Sequence, residues 1–172
     1  MSEKSALTKL LTREKFERIE GVFREHFQLG LEMTNINGTE IKGRCSRDCH
    51  PEFCRIVRSS AAGLRRCQKG SRRSLEMAIE TGQSYIRLCH AGIVVVCVPV
   101  MDKDNALGGM FFGKCLWEPA TEILVADIRK RLKGVRFGGK KLAAAIGKLP
   151  VIQGRKIHKA AEFLFDLLYE VG

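Results

Sequence analysis

The segment SYIRLCHAGIVVVCVPVMDKDNALGGMFFGKCLW, running from Ser84 to Trp117, decides the fold. It holds three strand-like runs, Ser84 to Cys89, Ile93 to Met101 and Leu107 to Trp117, with Asp102 to Asn105 as the turn between the last two. The apolar run Ala91 to Met101 is far shorter than the roughly 20 apolar residues that a membrane-spanning helix needs. It reads as a buried strand. Gly108, Gly109 and Gly113 interrupt the third run and point to a bulge or a close backbone approach.

Upstream, Leu29, Leu31 and Met33 alternate, Asn37-Gly38 supplies a hairpin turn, and Thr39 and Ile41 resume the strand pattern. Gly43 to His50 is polar and reads as a loop, after which Pro51 opens a short helix with Phe53, Ile56 and Val57 facing inward. A longer helix is predicted from about Ala61 to Thr81, ended by Gly82. Before the hairpin, Phe16, Ile19, Phe23 and Phe27 recur at helical spacing after Thr12, a plausible N-cap. After Pro119 the pattern is helical again: Leu124, Ile128 and Leu132, then Leu142 to Ile146, then Ile157, Ala161, Leu164, Leu168 and Val171. This order predicts one α+β domain over residues 1–172. It is PAS-like, a five-stranded antiparallel sheet with helices packed on one face and a C-terminal helical segment from about 120 to 172.

The composition, 45% apolar and 28% charged, is that of a soluble globule rather than a disordered or membrane chain. The first residues contain no apolar stretch with a cleavage site, so a cytoplasmic location is expected. The net charge is +11. It is concentrated in Arg65, Arg66, Lys69, Arg72 and Arg73, and again in Arg129, Lys130, Arg131, Lys133, Arg136, Lys140 and Lys141. Such charge suits an anionic partner such as nucleic acid, yet no aromatic residues interleave with it as a single-strand surface requires. Solvated helix faces are the favoured reading.

In a reducing compartment the seven cysteines are left to metal binding, redox chemistry or burial. Cys97 and Cys115 lie inside apolar strands and read as buried small hydrophobes. Cys54, Cys67 and Cys89 lie on two helices and a strand end, the arrangement by which ligands from separate elements converge. Four thiolates would hold zinc or an iron–sulfur cluster, both of which take soft sulfur donors. The fourth ligand is open. Cys49 is the geometric choice, because Cys89 and His90 point to opposite faces unless the strand breaks between them. His90, His50 and Cys45 are further candidate contacts to a metal or ligand.

Other motifs carry less. Cys45-Ser46-Arg47-Asp48-Cys49-His50 is one residue too long for a c-type haem attachment pattern, so haem is disfavoured. Gly134 to Lys141 has P-loop glycine and lysine spacing, but Lys141 stands where a magnesium-binding hydroxyl is needed. No acid is identifiable to orient His90 as a base for Cys89, so no catalytic residue is assigned and no enzyme is expected.

At Phe53 to Ser59, Arg66-Cys67, Cys89-His90-Ala91-Gly92-Ile93, Leu107 to Leu116 and Leu149-Pro150-Val151 with the following Ala160 to Leu164, the chain resembles the PocR sensory domain. The resemblance implies a PAS-like ligand-binding module of prokaryotic regulators, often joined to a DNA-binding or kinase output domain. It carries the family's cysteines onto Cys54, Cys67 and Cys89 and its histidine onto His90. The expected function is therefore a cytoplasmic sensory module. It would bind a small organic ligand or sense redox state through a cysteine-held zinc or iron–sulfur site and signal through its last helix to an output domain or regulator. A homodimer is plausible from the amphipathic end helices. The alternative is a basic nucleic-acid-associated protein stapled by structural zinc.

Overall fold

A computed structural model describes residues 3–169. The elements are α1 (Glu3–Leu10), α2 (Arg13–Phe27), β1 (Glu32–Asn35), β2 (Glu40–Cys45), α3 (Glu52–Arg58), α4 (Ala61–Thr81), β3 (Tyr85–Leu88), β4 (Val94–Asp102), β5 (Asn105–Cys115), α5 (Glu122–Arg131), α6 (Gly139–Gly147) and α7 (Gly154–Tyr169). The five strands form one antiparallel sheet in the order β2-β1-β5-β4-β3. The first hairpin thus lies beside the last strand of the meander, as a PAS-like α+β sheet requires.

Helix ends fall where the caps dictate. Thr12 accepts a hydrogen bond from the Lys15 amide, Ser60 accepts from the Gly63 amide, and Thr121 accepts from the Leu124 amide. In the hairpin, Asn35 Oδ1 accepts from the Asn37 and Thr39 amides, closing the turn ahead of β2. Strand β2 runs on to Cys45, so the stretch expected as a loop from Gly43 is strand for its first three residues. Pro51 caps α3 rather than opening it. Helix α1 was not expected from the sequence, and it buries Leu7 against the sheet. Val171 of the expected last helix lies outside the described residues.

The helices cover both faces of the sheet rather than one. Along β4, Val94, Val96, Val98 and Val100 join a core built with Leu7 of α1, Phe16, Ile19 and Phe23 of α2, and Ile157, Ala160 and Leu164 of α7. Val95 and Cys97 point the other way, to Leu75 and Ala78 of α4 and to Phe111 of β5. The unbroken burial of Val94 to Val100 is what a strand covered on both faces requires. A third cluster joins Phe53 and Val57 of α3 to Ile128, Leu132, Leu142 and Ile146 of the C-terminal segment. Part of the basic charge holds this segment in place: Arg66 of α4 donates to the Arg131 and Lys133 carbonyls.

Candidate functional site

The α3–α4 face of the sheet encloses a cavity of about 60 Å³. Its apolar wall is Ile93, Val95 and Phe111, and helices α3 and α4 supply Cys54, Arg58, Cys67, Ser71 and Ser74. Cys89 and His90 close it from the end of β3. The three expected cysteines therefore line one space.

Cys89 and His90 both reach the cavity because the strand does break. Strand β3 ends at Leu88, and residues 89 to 92 form a turn in which the Gly92 amide donates to the Cys89 carbonyl at 2.9 Å. Gly92 has φ +88°, a conformation open to glycine and costly for a side chain. The Ala91 amide donates to Cys89 Sγ at 3.4 Å, and Cys67 Sγ lies 3.2 Å from His90 Nε2. His90 Nδ1 is buried without a hydrogen-bond partner.

The electrostatics favour neutral groups here. Burial pushes the Cys54 thiol up to about 12 and the Cys67 thiol up to about 11. Burial, reinforced by the Arg66 and Arg87 guanidiniums, pushes His90 down to about 4. Near neutral pH these donors are two thiols and a neutral imidazole.

His50, a candidate contact from the sequence, sits at this cavity in a charged network whose other members, Glu32, Glu40, Arg58 and Lys114, sequence reasoning missed. Lys114 Nζ donates to Glu32 Oε2 at 2.5 Å and lies 2.9 Å from His50 Nδ1. His50 Nε2 lies 2.9 Å from Glu40 Oε2, to which Arg58 donates at 3.2 Å. The bonded His50 imidazole, aided by Arg58 and Lys114, holds the Glu40 carboxyl below the usual carboxylate range. On the other side, Arg87 Nε donates to Ser74 Oγ at 2.5 Å.

Lys114 reaches this network through a bulge. In β5, Met110 and Phe112 face the α7 side and Phe111 faces the cavity, so simple alternation would send Lys114 to the α7 side. Instead Val94 pairs with Cys115 and Val95 with Gly113, leaving Lys114 as the extra residue. Gly113 at φ +99° and Lys114 at φ +51° absorb the kink. The glycine was visible in the sequence as a bulge signal. What it aims was not.

Of the remaining expected donors, His50 lines the cavity and Cys45 and Cys49 do not. Cys49 is bonded to Cys45 in a disulfide, so its sulfur is not among the free thiols at the cavity, although a reducing compartment had been expected to keep it free. The two cysteines are four residues apart, on the end of β2 and the turn after it, with Cα atoms separated by 6.1 Å. His50 lines the cavity through its imidazole. Cys97 and Cys115 are buried as expected. Among the described residues, the donor triads whose atoms lie within 4.8 Å of one another are Glu32, Glu40 and His50, and Cys45, Cys49 and His50. Cys54, Cys67, Cys89 and His90 share the cavity more loosely.

Among the described residues no helix is long and apolar enough to cross a membrane. Curated proteins and solved structures contain no match to the chain. The family model of the sensory domain found in PocR matches residues 9–171, a span that takes in the whole sheet, both cavity helices and α7. A match of this extent makes the chain a member of the PocR sensory domain family.

Proposed function

We propose that this sensory domain reads its stimulus at the cavity through a soft metal centre held by Cys54, Cys67, Cys89 and His90, and passes the result to α7. The observation that carries the reading is the meeting of three free thiols and a neutral imidazole from α3, α4 and the turn after β3 around one small space. Three sulfurs and one nitrogen make a donor set for zinc or an iron–sulfur cluster. The unpartnered His90 Nδ1 marks the imidazole as under-used, and a buried polar atom in that condition calls for a partner. A bound cation would draw Cys54 and Cys67 into their thiolate form against the burial that now keeps them protonated. A cavity of about 60 Å³ also restricts any organic ligand to a few heavy atoms. Glu32 and Arg58 would supply its acceptor and donor.

Transmission follows from β4. Val95 lines the cavity, while its neighbours Val94 and Val96 pack in the core with α7, so a shift of the strand is felt on both faces.

The test is elemental analysis with an absorption spectrum on protein purified without oxygen. About one metal centre per chain is expected, lost in Cys54→Ser and in His90→Ala. Protein that is metal-free, takes up no metal and is equally stable without it overturns the reading. Binding to nucleic acid that weakens steeply with salt would instead favour a basic nucleic-acid protein.

A further inference from the structure

Cys45 Sγ, Cys49 Sγ and a ring nitrogen of His50 lie within 4.8 Å of one another, and of the three only His50 also lines the cavity. We propose that these three residues form a second metal site, for zinc or a similar borderline divalent cation, which the Cys45–Cys49 disulfide closes and its reduction opens.

Two thiolates and an imidazole are the donors zinc prefers, and three protein ligands leave one position open. The approach is from solvent, since Cys45 and His50 are partly exposed and an open groove runs past Gly43, Cys45 and Ser46. The backbone of the site does not depend on the disulfide. The Ser46 amide donates to the Leu31 carbonyl, and the Leu31 amide donates to Ser46 Oγ, both at 2.8 Å. Ser46 Oγ donates in turn to Glu20 at 2.9 Å, and Arg24 pairs with Asp48. Reduction therefore frees the two sulfurs without releasing the loop that carries them. As a staple the disulfide does little, because its cysteines are only four residues apart and short loops return the least entropy.

The chemistry balances with a dithiol as reductant. Its thiolate attacks one sulfur of the Cys45–Cys49 bond, which breaks to leave a mixed disulfide and one free cysteine. The second thiol of the reductant displaces the remaining cysteine and leaves as a disulfide. Two electrons have moved from reductant to protein, and both cysteines end as thiols. Zinc then takes their place on sulfur, and the thiol protons pass to solvent.

Metal capture would also reach the cavity. His50 lies 2.9 Å from both Lys114 Nζ and Glu40 Oε2, and a ring nitrogen given to a metal leaves one of those contacts. The second site would thus reset the charged network of the first according to the thiol poise around the protein.

Native mass spectrometry of the full chain with added zinc tests this, because it reads the metal count and the two hydrogens gained on reduction in one spectrum. Reduced protein should carry one zinc more than oxidised protein and lose it when a disulfide oxidant is added. Cys45→Ser combined with Cys49→Ser should abolish that difference. Should the double variant misfold, His50→Gln keeps the disulfide and should weaken the extra zinc by 10-fold or more. Equal counts in both redox states overturn the proposal, as does a difference that survives the double variant. Cys54→Ser with Cys67→Ser removes any cavity metal while sparing the redox-dependent zinc, so failure of either site is seen separately.

Discussion

Cys67 Sγ and His90 Nε2 stand 3.2 Å apart at the cavity, one from the second turn of α4 and the other from the turn after β3. With the thiol raised to about 11 and the imidazole lowered to about 4, the contact is between neutral groups over the physiological range. A bound cation reverses the preference of the sulfur. Zinc titration at neutral pH should therefore release protons, and Cys67→Ser should lower both the affinity, by 10-fold or more, and the proton count. Calorimetry in buffers of different ionisation heat reads both. An unchanged proton release in the variant would remove Cys67 from the ligand set.

Glu32 and Lys114 form the most buried ion pair at the site, with side-chain exposures of 6% and 11%. Removing one partner leaves a buried charge, so Lys114→Met alone should cost about 3–5 kcal/mol, while the neutral pair Glu32→Gln with Lys114→Met should cost much less than Glu32→Gln and Lys114→Met measured singly and summed. Urea unfolding of the three variants provides the check. Additive costs would mean that Arg58, 3.9 Å from Glu32, carries the pairing instead.

This pair also shows where the sequence was legible and where it was not. The three strand runs, the hairpin turn at Asn37-Gly38 and the helix Ala61–Thr81 follow from periodicity and caps, and they stand in the structure within a few residues. Cys54, Cys67 and Cys89 were visible because soft donors are rare and their elements could be placed, whereas His90 stood second to Cys49 because the end of β3 at Leu88 was not legible. Glu32 and Lys114 were hidden because a lone charge in a strand normally faces solvent, and only the bulge at Gly113 turns Lys114 inward. Helix α1 was missed because its charged first turn masks the spacing of Ala6, Leu7, Leu10 and Leu11. The two-sided burial of β4 was written in its continuous valine run, which one-sided packing would have broken with polar residues.

Thiol reactivity should sort the free cysteines. Cys97 and Cys115 are fully buried, and burial pushes both thiols upward, Cys115 to about 11. In native protein at pH 8 these two should resist alkylation over the time in which unfolded protein is fully labelled, with peptide mass mapping as the readout. Rapid labelling of either in the native state would show that the sheet opens locally.

Asp48 and Arg24 give a pH dependence of known sign. The bonded Arg24 guanidinium holds the Asp48 carboxyl below its usual value, so the folded state binds fewer protons there than the unfolded chain. The stabilisation is full above the ordinary Asp range, near pH 4, and is lost as pH falls through the lower folded-state value. Because the Asp48 side chain is 64% exposed, solvent screening limits it to less than about 1 kcal/mol. Asp48→Asn should thus be slightly less stable than the parent protein at pH 7 and equal to it near pH 2. A gap that widens in acid would contradict the assignment.

The coupling of cavity to α7 rests on strand β4 being shared, and it can be cut at one residue. Val96 is fully buried in the core that contains Ile157 and Leu164, whereas Val95 lines the cavity. Val96→Ala removes about 1.5–3 kcal/mol of apolar burial at most and touches no candidate ligand. Loading the cavity with metal should slow amide exchange across Gly154–Tyr169 in the parent protein. In Val96→Ala the same loading should change α7 exchange less, with metal affinity altered no more than a few-fold. If α7 exchange is indifferent to loading in the parent protein, β4 is too rigid to carry the signal. Output would then have to leave through α5 and α6, which contact the cavity helices directly in the third cluster.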